Sequence, residues 1–252
     1  LYVLAQPPAE TQTLRGIAEA MFTAPGSNGK WEDFVALNGG RPEVVPPAPK
    51  KLAASGDKVR YTFVSERGVT IPALVWPARG QAKALAVLVS ENGKTRAAEE
   101  FRIEQLRSAA VTCVAIDPRG VGEIKEMDLR LATYLGRSPA FMMGWDIARA
   151  VAAFADGPVK VAVVGRGPTA GQAALVAALL ETRVGFVAGL GTLKEFRDAF
   201  RDEVPLLSIQ PRANYAPALH DLRGLVKGEA VWGLLGDTEP DWAAPLVRWA
   251  GK

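Results

Sequence analysis

The sequence predicts an α/β fold, a three-layer α/β/α sandwich around a mostly parallel sheet, on three observations. Short runs that are apolar at nearly every position, such as Ala84 to Val89, Val111 to Ile116 and Val159 to Val164, read as strands buried on both faces. Longer segments of helical periodicity separate them, which parallel strands require. Tight glycine-containing turns follow two of these strands directly, after Ile116 and after Val164. With 252 residues and 48% hydrophobic content, the chain is large enough to bury one core of this kind.

Residues 1–56 read as a leader and connector. One short helix is expected at about Thr11 to Phe22, ending near Pro25-Gly26. Four prolines between Arg41 and Lys51 hold that stretch extended over the surface. Residues 57–252 are expected to form the domain proper. Val59 to Val64 and Val69 to Trp76, separated by Glu66-Arg67-Gly68, predict an antiparallel hairpin at the sheet edge. Ala84 to Val89 is the first buried strand, and Ala97 to Ala110 an amphipathic helix with Phe101, Ile103 and Leu106 on its apolar side. Val111 to Ile116 is the next strand. A helix from Trp145 to Phe154, a strand from Val159 to Val164, a helix from Ala170 to Leu180 and a strand from Arg183 to Ala188 continue the alternation. The remaining elements are a helix near Leu193 to Phe200, a loop rich in Pro and Asn, a strand from Ala230 to Leu235 and a helix from about Trp242 to Trp249.

The net charge of +3 is spread along the chain, so no basic block marks a nucleic-acid or membrane surface. The longest apolar runs fall well short of the roughly 20 residues a membrane span needs. Cys113, the single cysteine, lies inside an apolar strand and is read as a buried, inert thiol. One His and one Cys supply no zinc ligand set, and no cofactor is expected. The six tryptophans, Trp232, Trp242 and Trp249 among them, are read as packing helices on the sheet rather than stacking sugars. A first residue of Leu1 rather than Met reads as a processed or excised end.

Ligands of parallel α/β sheets bind outside the carboxyl ends of the strands, so function is sought in the residues after each strand. After Ile116 comes Asp117-Pro118-Arg119-Gly120-Val121-Gly122-Glu123, in which Arg119 is expected to pair with Asp117 or with backbone carbonyls. After Val164 comes Gly165-Arg166-Gly167-Pro168-Thr169-Ala170-Gly171, a strand-to-helix corner. Two such turns, one βα unit apart, resemble those of the α/β-hydrolases, particularly the acetyl xylan esterase and prolyl-oligopeptidase-like families, over roughly Asp57 to the end. The resemblance implies a sheet of α/β-hydrolase type, truncated at its C-terminal strand, and a secreted or periplasmic setting.

In an active relative the second turn is the nucleophile elbow Gly-x-Ser-x-Gly. Aligned on Gly165, the serine position is Gly167, which has no hydroxyl with which to attack an ester. Thr169 is expected to cap the following helix. The only histidine, His220, precedes the last strand, whereas the base of the triad follows it, so His220 is read as a surface or capping residue beside Asp221. Asp237, in Gly236-Asp237-Thr238-Glu239-Pro240-Asp241, stands where the resemblance puts the triad acid. Ser90-Glu91-Asn92-Gly93-Lys94 corresponds to the oxyanion loop, with Asn92-Gly93 making the turn. The pocket candidates are Asn92, Gly93, Asp117, Arg119, Arg166 and Thr169.

The resemblance implies an esterase-like domain that lacks the serine nucleophile and the histidine base. Its expected role is structural or binding, beside a catalytic α/β-hydrolase domain in a longer chain or on a carbohydrate ester. Two rivals are weighed against it. Gly165-x-Gly167-x-x-x-Gly171 could cradle a dinucleotide pyrophosphate, but the spacing is one residue too long and the next strand ends in Ala188-Gly189-Leu190 without a ribose-binding acid. An active hydrolase with an unorthodox site would draw on Asp117, Glu123, Asp237, Glu239 or Asp241 as acid and base.

Overall fold

The strand from Ala84 to Ser90 is buried at all seven positions, because apolar side chains on alternate residues enter two different cores. Leu85, Val87 and Val89 point to one face, while Ala84, Ala86 and Leu88 point to the other. The computed structural model describes residues 31–125, 137–192, 226–234 and 238–252. His220, Asp221, Asp237 and the helices expected at Thr11 to Phe22 and Leu193 to Phe200 lie outside these described residues.

Among the described residues, eight strands form one sheet: β1 (Lys50–Ser55), β2 (Lys58–Glu66), β3 (Val69–Trp76), β4 (Ala84–Ser90), β5 (Val111–Ile116), β6 (Lys160–Arg166), β7 (Val184–Thr192) and β8 (Glu229–Leu234). Their spatial order is β1-β2-β3-β5-β4-β6-β7-β8. The first three strands and the β3–β5 pair are antiparallel, and the pairs from β5 to β8 are parallel. The expected hairpin is β2–β3. The sheet gains an edge strand that the sequence reading did not foresee, because β1 is exposed along its whole length and carries no apolar alternation.

Helices cover both faces. On one side lie α4 (Pro139–Phe154) and α5 (Pro168–Leu180), and on the other α2 (Ala97–Glu100), α3 (Ile103–Ser108) and α6 (Ala243–Gly251). A short helix α1 (Trp31–Leu37) precedes the sheet and packs Phe34 edge-on against Phe141 at 6.0 Å. Helix α4 starts earlier than its apolar periodicity suggested. Ser138 caps it by accepting from Phe141 N at 3.0 Å, and Pro139 occupies the first helical position.

The single helix expected from Ala97 to Ala110 is broken at Arg102, whose φ of 47° ends α2 before α3 begins. A continuous helix would turn Phe101 and Ile103 about 200° apart. Both are buried in the same core, Phe101 against Trp242, so the helix has to break between them. Trp242 is fully buried and Trp249 packs on Phe186, so these tryptophans serve the core as the sequence suggested. Cys113 is likewise enclosed, and burial pushes its thiol up to about 12. Among the described residues no helix is long and apolar enough to cross a membrane.

Candidate functional site

The chain reverses its direction of travel across the sheet between β4 and β6, since β5 lies on one side of β4 and β6 to β8 on the other. At such a reversal the connections diverge and leave a crevice beyond the carboxyl ends of the strands. The register sets Ser90 beside Arg166. The next residue of each strand, Glu91 and Gly167, therefore meet at this point. Gly167 N donates to Leu190 O at 2.8 Å, which ties the corner to β7 as well.

The turn from Gly165 to Gly171 is a tight strand-to-helix corner between β6 and α5. Gly165 lies so close to α5 that a Cβ there would collide with the Ala170 carbonyl. Gly167 is the N-cap at φ 111°, ψ 164°, a region used in practice by glycine alone. A Cβ at Gly167 would stand 2.5 Å from Cδ of Glu91.

The donors at the start of α5 are all accounted for. Pro168 has no N–H. Thr169 N and Ala170 N both donate to Oε1 of Glu91, at 2.6 and 3.2 Å. Gly171 N donates to Gly167 O at 2.8 Å and begins the helical ladder. The cap expected from the Thr169 hydroxyl is therefore supplied by Glu91, and the hydroxyl instead adds a hydrogen bond to the same carboxylate. Register explains the substitution: Glu91 reaches the helix end from a neighbouring strand, whereas Thr169, already in the first turn, cannot fold back on it.

Burial raises the Glu91 carboxyl above the ordinary 4.5, and the hydrogen bonds from Thr169 and Ala170 only partly offset this. The folded protein thus holds the Glu91 proton more tightly than the unfolded chain does. The stability from this group is full below 4.5 and is lost as pH rises through the folded value. Glu91→Gln, which mimics the protonated form, is expected to match wild type in acid and to exceed its Tm at neutral pH. A wild-type Tm that climbs relative to the variant with rising pH would contradict the assignment.

Behind the corner, two buried ion-pair clusters hold the turns. Lys94, 2% exposed, places Nζ 2.6 Å from Asp117 and 2.5 Å from Glu123, and its backbone N donates to Asp117 at 2.6 Å. Arg119 pairs with Asp146 on α4 and with Glu66 at 2.7 Å, and donates to Met142 O. Asp117 is not its partner. Both residues are almost fully buried, so neither opens onto the crevice. Lys94 and Asp146 were missed. Nothing local in the sequence signals Lys94, but an Asp set among Met142, Met143, Trp145 and Ile147 on an apolar helix was a readable sign of a buried partner.

At the rim, Arg166 forms a two-pronged pair with Glu239 from the segment after β8, and its guanidinium lies 5.6 Å from the centre of the Phe101 ring. Trp242 Nε1 also donates to Glu239, and the hydrogen bond from Arg166 holds that carboxyl below its usual range. Asn92, which is exposed, bonds Glu100, while Gly93 turns the loop with φ 84° by donating to Ser90 O. Arg102 pairs with Asp241 at 3.3 Å. Asp117, Glu123, Glu239 and Asp241, the described members of the proposed carboxylate site, are each engaged with a cation: Asp117 and Glu123 share Lys94, Glu239 pairs with Arg166 and Asp241 with Arg102. Among the described residues no cluster of His, Cys, Asp and Glu fits a metal ion. A dinucleotide pyrophosphate at α5 would meet the Glu91 carboxylate, which leaves the dinucleotide reading without a place.

Neither a protein-family model nor a curated protein matches this sequence. Solved structures do. A putative acetyl xylan esterase from Bacteroides fragilis aligns with 98% of this chain and 80% of its own at TM-score 0.64 and 12% identity. Acetyl xylan esterase 1 from a Thermoanaerobacterium species aligns with 92% and 96% of the two chains at TM-score 0.58 and 16% identity. A glucuronoyl esterase from Solibacter usitatus aligns with 94% and 77% at TM-score 0.56 and 14% identity. These likenesses show the fold: the chain has the α/β-hydrolase fold, with its mostly parallel sheet covered by helices on both faces.

Proposed function

We propose that this chain is an acetyl xylan esterase-like domain without ester-hydrolysing activity, serving as a structural or binding domain. One observation carries the reading. At the strand-to-helix corner where an active relative would present its nucleophile and oxyanion hole, a carboxylate takes the N–H groups of Thr169 and Ala170. Acyl transfer needs a hydroxyl at the elbow, and Gly167 has none. It also needs the N–H of the following residue to stabilise the oxyanion, and that residue is Pro168. An anion developing there would face the negative charge of Glu91. The first two points are properties of Gly167 and Pro168 in the sequence, whereas the third comes from the strand register that sets Glu91 beside them.

The proposed partners are a catalytic α/β-hydrolase domain in a longer chain, or a carbohydrate ester bound without cleavage. The purified chain is expected to show no turnover of p-nitrophenyl acetate or acetylated xylan oligosaccharides above buffer. Turnover that disappears in Asp237→Ala would defeat the proposal and favour an unorthodox carboxylate site.

A further inference from the structure

Among the described residues β1 pairs only with β2, and all six of its positions are exposed. Every second residue of such an edge strand turns its backbone N–H and C=O away from its neighbour, where another extended segment can pair with them. Leu52, 50% exposed, is one of two large apolar side chains left in solvent among the described residues. It is the extra residue of a bulge between Lys51 and Ala53, so nothing in β2 stands opposite it.

The same edge is basic. Between residues 50 and 60, Lys50, Lys51, Lys58 and Arg60 stand against Asp57 alone, a net +3 that equals the excess of the whole chain. The register sets Lys50 opposite Thr62, Ala53 opposite Arg60 and Ser55 opposite Lys58. Lys50, Arg60 and Lys58 therefore share one face of the hairpin, and Lys51 lies on the other. Asp57 is taken by Arg107, and Arg60 lies 3.8 Å from Glu123. Among the described residues none of the three lysines has an acidic partner.

We propose that β1 is a docking edge for an extended acidic segment of a partner protein, which joins the sheet as a further antiparallel strand. The backbone supplies the pairing, Leu52 and the two alanines the apolar contact, and Lys50 and Lys51 the selection for acid. A second copy of this chain is not the occupant, since its β1 would bring the same cations to the contact. The lysines thus guard the edge against self-association and leave it open to an opposite charge.

A peptide, fluorescein-Thr-Val-Thr-Val-Glu-Glu-amide, sets its two acids against Lys51 and Lys50 when it runs antiparallel to β1. It is expected to bind the whole chain in fluorescence anisotropy and to slow amide exchange in residues 50–55. Lys50→Glu with Lys51→Glu is expected to weaken binding about tenfold, and both side chains are exposed, so the fold tolerates the change. Replacing the central Val-Thr of the peptide by Pro-Pro keeps its charge, removes a ladder donor in either register, and is expected to abolish binding. No binding, equal binding of the proline peptide, or protection confined to other residues overturns the proposal. So does a dimer in sedimentation whose protected amides are those of residues 50–55. Pairing at this edge is independent of ester chemistry, so ester turnover by the chain would leave it standing.

Discussion

Asp146→Ala is expected to lose about 3–5 kcal/mol of stability, the largest effect of any single change considered. Asp146 is fully buried and accepts from Arg119 N, Nε and Nη2 at 2.9–3.0 Å, and from the Ser65 hydroxyl. Among the described residues, truncation leaves the Arg119 guanidinium, 2% exposed, with only Glu66 to balance its charge. An uncompensated buried cation is costly because its lost hydration is not replaced. Replacing both partners, as in Arg119→Met with Asp146→Leu, is expected to cost much less, since no charge is stranded. Urea unfolding monitored by tryptophan fluorescence measures both. A loss below about 1 kcal/mol for Asp146→Ala would show that the floor of the crevice does not depend on this pair.

Gly167→Ser, the obvious attempt to restore a nucleophile, is expected to yield no turnover and to lose about 2–4 kcal/mol. The backbone at φ 111°, ψ 164° costs a side chain on the order of 1–3 kcal/mol. The new Cβ also pushes Glu91 off the two N–H groups it satisfies, which adds about 1 kcal/mol. The two positions are in contact, so their effects do not add. Gly167→Ser with Glu91→Ala is therefore expected to be more stable than the sum of the single changes predicts. It stays inactive, because Pro168 still offers no N–H to an oxyanion. Burst release of p-nitrophenol by either variant would show that the elbow needs only a hydroxyl to work.

Much of the sheet was legible because its strands announce themselves residue by residue. The β4 and β6 runs are apolar on both faces, and only a covered parallel sheet tolerates that. Edges and breaks were harder. The exposed β1 has no alternation to detect, and the break at Arg102 becomes necessary only when Phe101 and Ile103 are both drawn into one core.

At the site, the absent hydroxyl of Gly167 and the absent N–H of Pro168 are properties of single residues, so the order of amino acids alone supplies these two grounds for the proposed inactivity. The partners of Glu91, Arg119 and Lys94 were decided only by the tertiary structure. Glu91 and Thr169 are 78 residues apart and Lys94 and Asp117 are 23 apart. Strand register and the reversal between β4 and β6 bring them together. A charge finds its counter-charge through three-dimensional proximity in a low-dielectric interior, and no local pattern along the chain encodes that distance.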